Sequence, residues 1–196
     1  MSNPRKDGGL PPADMSVRTL HEGWLRLHLV TMTGPDGGTF ERYVEDHGRA
    51  AMVLPYNPRT RMALLVTMPR AALRYAGADD LLEAPAGMID PGETAAQTAL
   101  RELMEEAGLS VEALEPAGAV FATPGVSTER ADLFLAAYDD ANRTGAGGGL
   151  ASENEHITVV EVPLVDLWAM VDSGVSDAKT RVLVQTLRIR RPELFG

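Results

Sequence analysis

Three carboxylates, Glu102, Glu105 and Glu106, fall within residues 87–109, which read GMIDPGETAAQTALRELMEEAGL. At 100° per residue on a helix, Glu102 and Glu106 stand one turn apart on one face, and Glu105 lies beside them at i+3. They share an arc about 100° wide. Like charges at these spacings destabilise a helix by roughly a few tenths of a kcal/mol each. Arg101 is the one neighbouring relief, so the arc calls for a further positive partner. Oxygen ligands with no Cys and no nearby His are what a hard divalent ion such as Mg²⁺ or Mn²⁺ takes. Taken alone, a Glu-x-x-Glu-Glu pattern reads as a solvated acidic face.

The elements that would carry these carboxylates are marked in the same stretch. Ala96, Ala99, Leu100, Leu103, Met104 and Ala107 form an apolar stripe expected opposite the carboxylates, packed onto a core. Thr94 followed by Gln97 fits a capping box, and Gly108 sits where a left-handed residue stops a helix. Asp90-Pro91-Gly92 is turn chemistry. The stretch therefore reads as loop, helix, loop.

Composition limits what such a helix serves. The chain has 196 residues, enough for one substantial core or one core with a small appendage, and is 44% hydrophobic and 23% charged. No apolar run approaches the roughly 20 residues needed to span a bilayer, and residues 1–16 lack the apolar core of a secretory signal. Cysteine is absent, so a cytoplasmic location is expected. A net charge of −10 opposes binding to nucleic acid polymers, whose affinity comes largely from neutralised phosphates. A small anionic ligand remains compatible if metal ions and local arginines screen it.

Along the chain, residues 1–15 are rich in Pro, Gly and charge and read as a disordered tail. Residues 16–48 are expected to form a small β subdomain: residues 24–30 alternate apolar and polar, residues 34–38 make a turn, and residues 39–44 return. Such a hairpin is marginal alone and must lean on the main domain or a second subunit. His28 and His47 lack a partner at ligand spacing and read as structural or solvated. The main domain, residues 49–196, opens with apolar runs at 51–55 and 62–66, joined by an Asn57-Pro58-Arg59-Thr60 turn. Residues 81–86 lead into the acidic stretch. Strands are expected at 117–121, 131–138 and 157–162, and helices at 163–171 and 177–189. Residues 139–152 are polar and Gly-rich and read as a mobile loop, ending at Glu153 and Glu155. Two carboxylates at a loop tip can do acid or base work; by themselves they read as solvated charge.

The complete pattern of residues 87–109 resembles the Nudix box, the signature of the Nudix hydrolases. That resemblance implies an α+β fold, the Nudix α/β/α sandwich with a mixed sheet, plus the small N-terminal β-hairpin subdomain. It implies metal ligation by Glu102, Glu105, Glu106, Glu155 and the Ala86 carbonyl, with Arg101 holding the glutamates. Glu105, Glu153 and Glu155 are then expected to serve catalysis, one loop carboxylate acting as base. Thr123-Pro124-Gly125 through Glu129-Arg130 is similar to a loop of the ADP-ribose and nucleotide-sugar pyrophosphatase branch, which implies ligand contacts by Glu129 and Arg130. Asp177-Ala178-Lys179-Thr180 leans toward the GDP-mannose-type members. The branch's Gln-x-Arg becomes Met68-Pro69-Arg70, leaving Arg70 for the diphosphate.

The resemblance implies Mg²⁺- or Mn²⁺-dependent cleavage of ADP-ribose or a related nucleoside diphosphate sugar, giving a nucleoside monophosphate and a sugar phosphate. It also implies a homodimer whose N-terminal hairpin crosses to the second subunit, while charge and hydropathy lead us to expect no membrane or nucleic acid partner. A GDP-mannose-preferring enzyme is one alternative, and a non-catalytic nucleotide-sugar-binding module is another.

Overall fold

The computed structural model describes residues 14–150, 156–174 and 176–196. Most of the expected N-terminal tail, together with Glu153 and Glu155, lies outside the described residues. The chain begins with a three-stranded antiparallel sheet in the order β1(Met15–Glu22), β2(Arg26–Thr33), β3(Thr39–Asp46). The expected hairpin is thus β2 and β3, with a further strand added on its outer side. β1 escapes a periodicity reading because nearly all of it is exposed, so no burial enforces alternation.

The main sheet has the order β7(Glu115–Phe121), β8(Arg130–Ala137), β4(Arg49–Asn57), β5(Met62–Thr67), β9(Thr158–Pro163), and β6(Ala86–Met88) pairs with β4. It is mixed: β4 and β8 run parallel along the whole of β4 through residue 56, and the other pairings are antiparallel. Strands β4 and β8 are buried on both faces, which accounts for their nearly unbroken apolar runs.

The two-residue period sends β4 side chains to two cores. Ala50, Met52, Leu54 and Tyr56 meet α3(Leu164–Ser173) and α4(Ala178–Arg190). Ala51 and Val53 meet α2(Ala95–Ala107) through Ala99, Leu103 and Ala107. This is the expected α/β/α sandwich. Between β5 and β6 the chain also forms a short helix, α1(Ala71–Tyr75), which the sequence reading did not anticipate. Among the described residues no helix is long and apolar enough to cross a membrane.

Two junctions set the frame of the cleft. Strand β4 pairs with β5 only at Tyr56↔Ala63 and Asn57↔Met62, while its first half pairs with β6. The strands diverge, and residues 83–89 fill the wedge, with Val66 bridged to Glu83 and Val53 N–H donating to the Pro85 carbonyl at 3.0 Å. On the other flank, Glu45 exchanges backbone hydrogen bonds with the loop before β8: its N–H donates to the Val126 carbonyl, and its carbonyl accepts from Thr128 N–H. The N-terminal sheet therefore leans on its own main domain at this edge.

Leu103 is fully buried between α2 and the sheet. Leu103→Ala is expected to lower unfolding free energy by roughly 2–5 kcal/mol, read from urea titration. A loss well under about 1 kcal/mol would contradict this packing.

Candidate active site

The capping signals act as the sequence implies. Thr94 caps α2 in a reciprocal box with Gln97, and Gly108 ends the helix at φ 66°. The burial of the helix differs from expectation. Its inward arc is Thr98, Ala99, Glu102, Leu103, Glu106 and Ala107, while Ala96 and Met104 face solvent. Glu102 and Glu106 are only 8% and 2% exposed, so these carboxylates belong to the packed face. The cause is β6, whose edge lies against that side of the helix.

Pairing geometry explains how the edge receives them. Val53 and Arg49 bond Pro85 and Ile89 across the ladder, so in this antiparallel register residues 86 and 88 turn their peptide groups away from β4. Ala86 N–H donates to Glu106 Oε2 at 2.9 Å, and the Met88 carbonyl accepts from Arg101. The Ala86 carbonyl faces the same way as its N–H. A Cβ added at Gly87 would fall on the Glu102 carboxylate, so the box glycine is what lets strand and carboxylate meet.

Arg101 gathers the acidic groups. It donates to Glu102 at 2.7 Å, to Glu105 at 3.0 Å and to Glu93 at 3.2 Å, while Glu93 is also fixed by Thr98. Burial opposes its charge, but the Glu93 hydrogen bond and the Glu102 charge outweigh that and hold its pKa above the ordinary value. Among the described residues no three carboxylate or imidazole groups stand as a preformed metal cage. The donor set nonetheless suits a hard cation: carboxylates, an outward backbone carbonyl, and a glycine that keeps the approach open.

The cleft beside this cluster has a volume of about 600 Å³. Glu102, Arg101 and the β6 backbone form one wall, and Arg70, Glu83, Lys179, Glu129, His47 and Trp24 form the other. Arg70 makes a two-pronged bond to Glu83 at 2.9 Å for each contact, and this bond raises its pKa. Lys179 is placed by the first turn of α4, which Asp177 caps through Thr180 N–H at 2.7 Å. Burial opposes its charge, and Asp177 and Glu129 more than restore it. Arg130 turns to Asp132 at 3.1 Å and is not part of the cleft wall.

His47 is not solvated. Its Nε2 meets Glu129 at 2.8 Å, Trp24 stacks on the ring at 5.4 Å, and Glu45 approaches Nδ1 at 2.9 Å without hydrogen-bond alignment. The Glu129 hydrogen bond raises the His47 pKa, and the same bond lowers that of Glu129. Sequence reasoning missed Trp24, His47, Glu83 and Lys179 as cleft residues. Only Lys179 carried a usable signal, its place two residues after the helix-capping Asp177.

Residues 46–182 match the family model described as NUDIX domain. The chain belongs to the Nudix family. It is 38% identical over 181 residues to a Cronobacter sakazakii protein named GDP-mannose pyrophosphatase, covering 88% of this chain and 93% of that one. It is 32% identical over 183 residues to an Escherichia coli K12 protein named ADP-ribose pyrophosphatase, covering 90% and 87%. A crystal structure titled as an ADP compounds hydrolase shares the fold, with TM-score 0.71, 19% identity and coverage of 91% and 92%. The Nudix box is complete in this chain, and Nudix hydrolases generally require a divalent metal.

The His47–Glu129 bond has a definite pH signature. With its pKa raised above 6.5, His47 adds stability that is complete below that value and lost as pH rises through the raised pKa. With its pKa depressed below 4.5, Glu129 adds stability present above that value and lost as pH falls through the depressed pKa. The stability difference between wild type and Glu129→Gln is therefore expected to peak between 4.5 and 6.5 and shrink on either side. Denaturation from well below 4.5 to well above 6.5 checks it; a difference that stays flat over the whole span would count against the bond.

Proposed function

We propose that the cleft hydrolyses the pyrophosphate bond of a nucleoside diphosphate sugar, ADP-ribose or a close relative, to a nucleoside monophosphate and a sugar phosphate. The observation that carries this reading is the meeting of Glu102, Glu105 and Glu106 with the outward backbone of Ala86, beside a cleft walled by Arg70, Lys179 and Trp24. The names of the relatives support the substrate class.

Glu102, Glu105, Glu106 and the Ala86 carbonyl would hold Mg²⁺ or Mn²⁺, and Glu155 would add a further ligand. Bound there, such an ion would supply positive charge to offset the diphosphate and the leaving oxygen, and would lower the pKa of a water. Arg101 keeps the glutamates oriented through charge-assisted hydrogen bonds. Arg70 binds the diphosphate by exchanging part of its bond to Glu83. Glu129 contacts the substrate from the opposite wall, and Trp24 offers an apolar plane to the base. Glu153 or Glu155 takes the proton of the attacking water. A GDP-mannose preference is a second reading, favoured by the placement of Lys179 in the cleft and by the 38% identical relative.

The working form is a homodimer in a cytoplasmic setting. Exposed Val17, Leu20, Phe40 and Tyr43 on the N-terminal sheet support the dimer, and the absence of cysteine supports the setting. Residues 16–48 then act as the dimerisation subdomain of the Nudix domain at 49–196.

Phosphate release through a coupled phosphatase, from ADP-ribose, ADP-glucose, GDP-mannose and UDP-glucose with and without chelator, tests the reading. Metal-dependent cleavage of one or two members is expected, and silence across the panel would overturn it. Glu106→Gln keeps an acceptor for Ala86 N–H but removes the charge, so turnover is expected to fall about a hundredfold or more with the circular dichroism spectrum unchanged. Near-wild-type turnover would remove Glu106 from the metal site.

A further inference from the structure

Residues 139–150 contain Gly145, Gly147, Gly148 and Gly149, and composition reads them as slack. Their backbone is instead tied to the end of the box helix. Gly149 N–H donates to the Glu105 carbonyl at 3.0 Å and Gly148 N–H to the Glu106 carbonyl at 2.9 Å. Thr144 and Gly145 N–H groups converge on the Gly108 carbonyl at 2.9 and 3.2 Å. Carbonyls in a helix's last turn have no donor within the helix, and here a separate segment supplies them.

The approach is backbone on backbone. A Cβ at Gly147 would collide with the Glu106 carbonyl, and one at Gly108 with the Gly145 carbonyl. Their φ angles are 67° and 66°, so glycine is required both for conformation and for space. Gly118, at φ 102°, has nothing near its missing Cβ. It shares the conformational demand without the contact.

The residues whose carbonyls are gripped are the same two, Glu105 and Glu106, whose carboxylates are assigned to the metal. The N–H groups also offset the partial negative charge of a helix C-terminus, about half an elementary charge, which otherwise adds to the repulsion among the carboxylates. We propose that Gly147, Gly148 and Gly149 are positioning residues that clamp the last turn of α2 so that Glu105 and Glu106 present their carboxylates to a divalent cation. The clamp rests on the assignment of these carboxylates to a metal under the proposed function.

Mn²⁺ binding to the full chain, followed by electron paramagnetic resonance of the free ion, tests it. Gly147→Ala is expected to weaken Mn²⁺ binding about tenfold, while Gly118→Ala stays within about twofold of wild type. On a cleaved nucleotide sugar, Gly147→Ala lowers kcat with KM nearly unchanged, and added Mn²⁺ restores part of the loss. Gly148→Ala, whose Cβ would meet nothing closer than the Ile157 carbonyl at 3.9 Å, gives a smaller shift and serves if Gly147→Ala does not fold. Wild-type Mn²⁺ affinity in a folded variant of this run overturns the clamp alone. Failure of wild type itself to bind Mn²⁺ overturns the metal reading and the clamp with it.

Discussion

The burial of the Glu102 and Glu106 carboxylates against a strand edge is the constraint to which the rest of the site answers. A buried carboxylate needs hydrogen bonds or an opposite charge to offset the loss of water. The edge of β6 supplies the Ala86 N–H to Glu106, and Arg101 reaches Glu102 from the helix itself. Neither would suffice if the strand stood farther away. Gly87 removes the one side-chain atom that would hold it off, so the close approach makes the burial tolerable and leaves oxygen atoms together at one spot.

That approach depends on the sheet. Strand β4 gives its first half to β6 and its last residues to β5, and residues 83–89 enter the wedge between the diverging strands. The wedge carries Glu83 to Arg70 on one side and Ala86 to Glu106 on the other. Ala84 N–H also donates to the buried Thr180 hydroxyl at 2.9 Å, which ties the wedge to the start of α4 and so to Lys179. Packing in both cores thus converges on the same few residues.

The box helix was legible in the sequence because caps, turn and carboxylate spacing are all local. Thr94, Gln97 and Gly108 announce its ends without tertiary help. Which side faces inward was not legible, since hydrophobicity alone turns Met104 inward and Glu102 outward, and only the partner strand reverses that. β1 was legible only as part of a strand-like stretch and not as a separate strand, because exposure removes its alternation, and the glycines at 145–149 look like slack because their role is contact with a helix about forty residues earlier in the chain. His47 and Trp24 come from the connections flanking the N-terminal strands, and His47, with Trp24 stacked on it, meets Glu129 only through the docking of Glu45 on Val126 and Thr128. Non-local pairings of this kind leave no period in a sequence.

Charge in the cleft follows the same logic. Each basic side chain lining it is already engaged: Arg70 with Glu83, Arg101 with Glu102 and Glu105, Lys179 with Asp177 and Glu129, His47 with Glu129. A chain of net charge −10 does not draw a diphosphate by its overall field. In the proposed reaction binding is therefore an exchange, in which phosphate oxygens must replace carboxylates on these side chains while a divalent ion compensates the added negative charge. An exchange of this kind favours ligands that match several pairs at once, because breaking a single pair returns too little to offset the carboxylate left behind. Selectivity then arises from the spacing of Arg70, Lys179 and the box carboxylates, which the wedge and the first turn of α4 hold fixed.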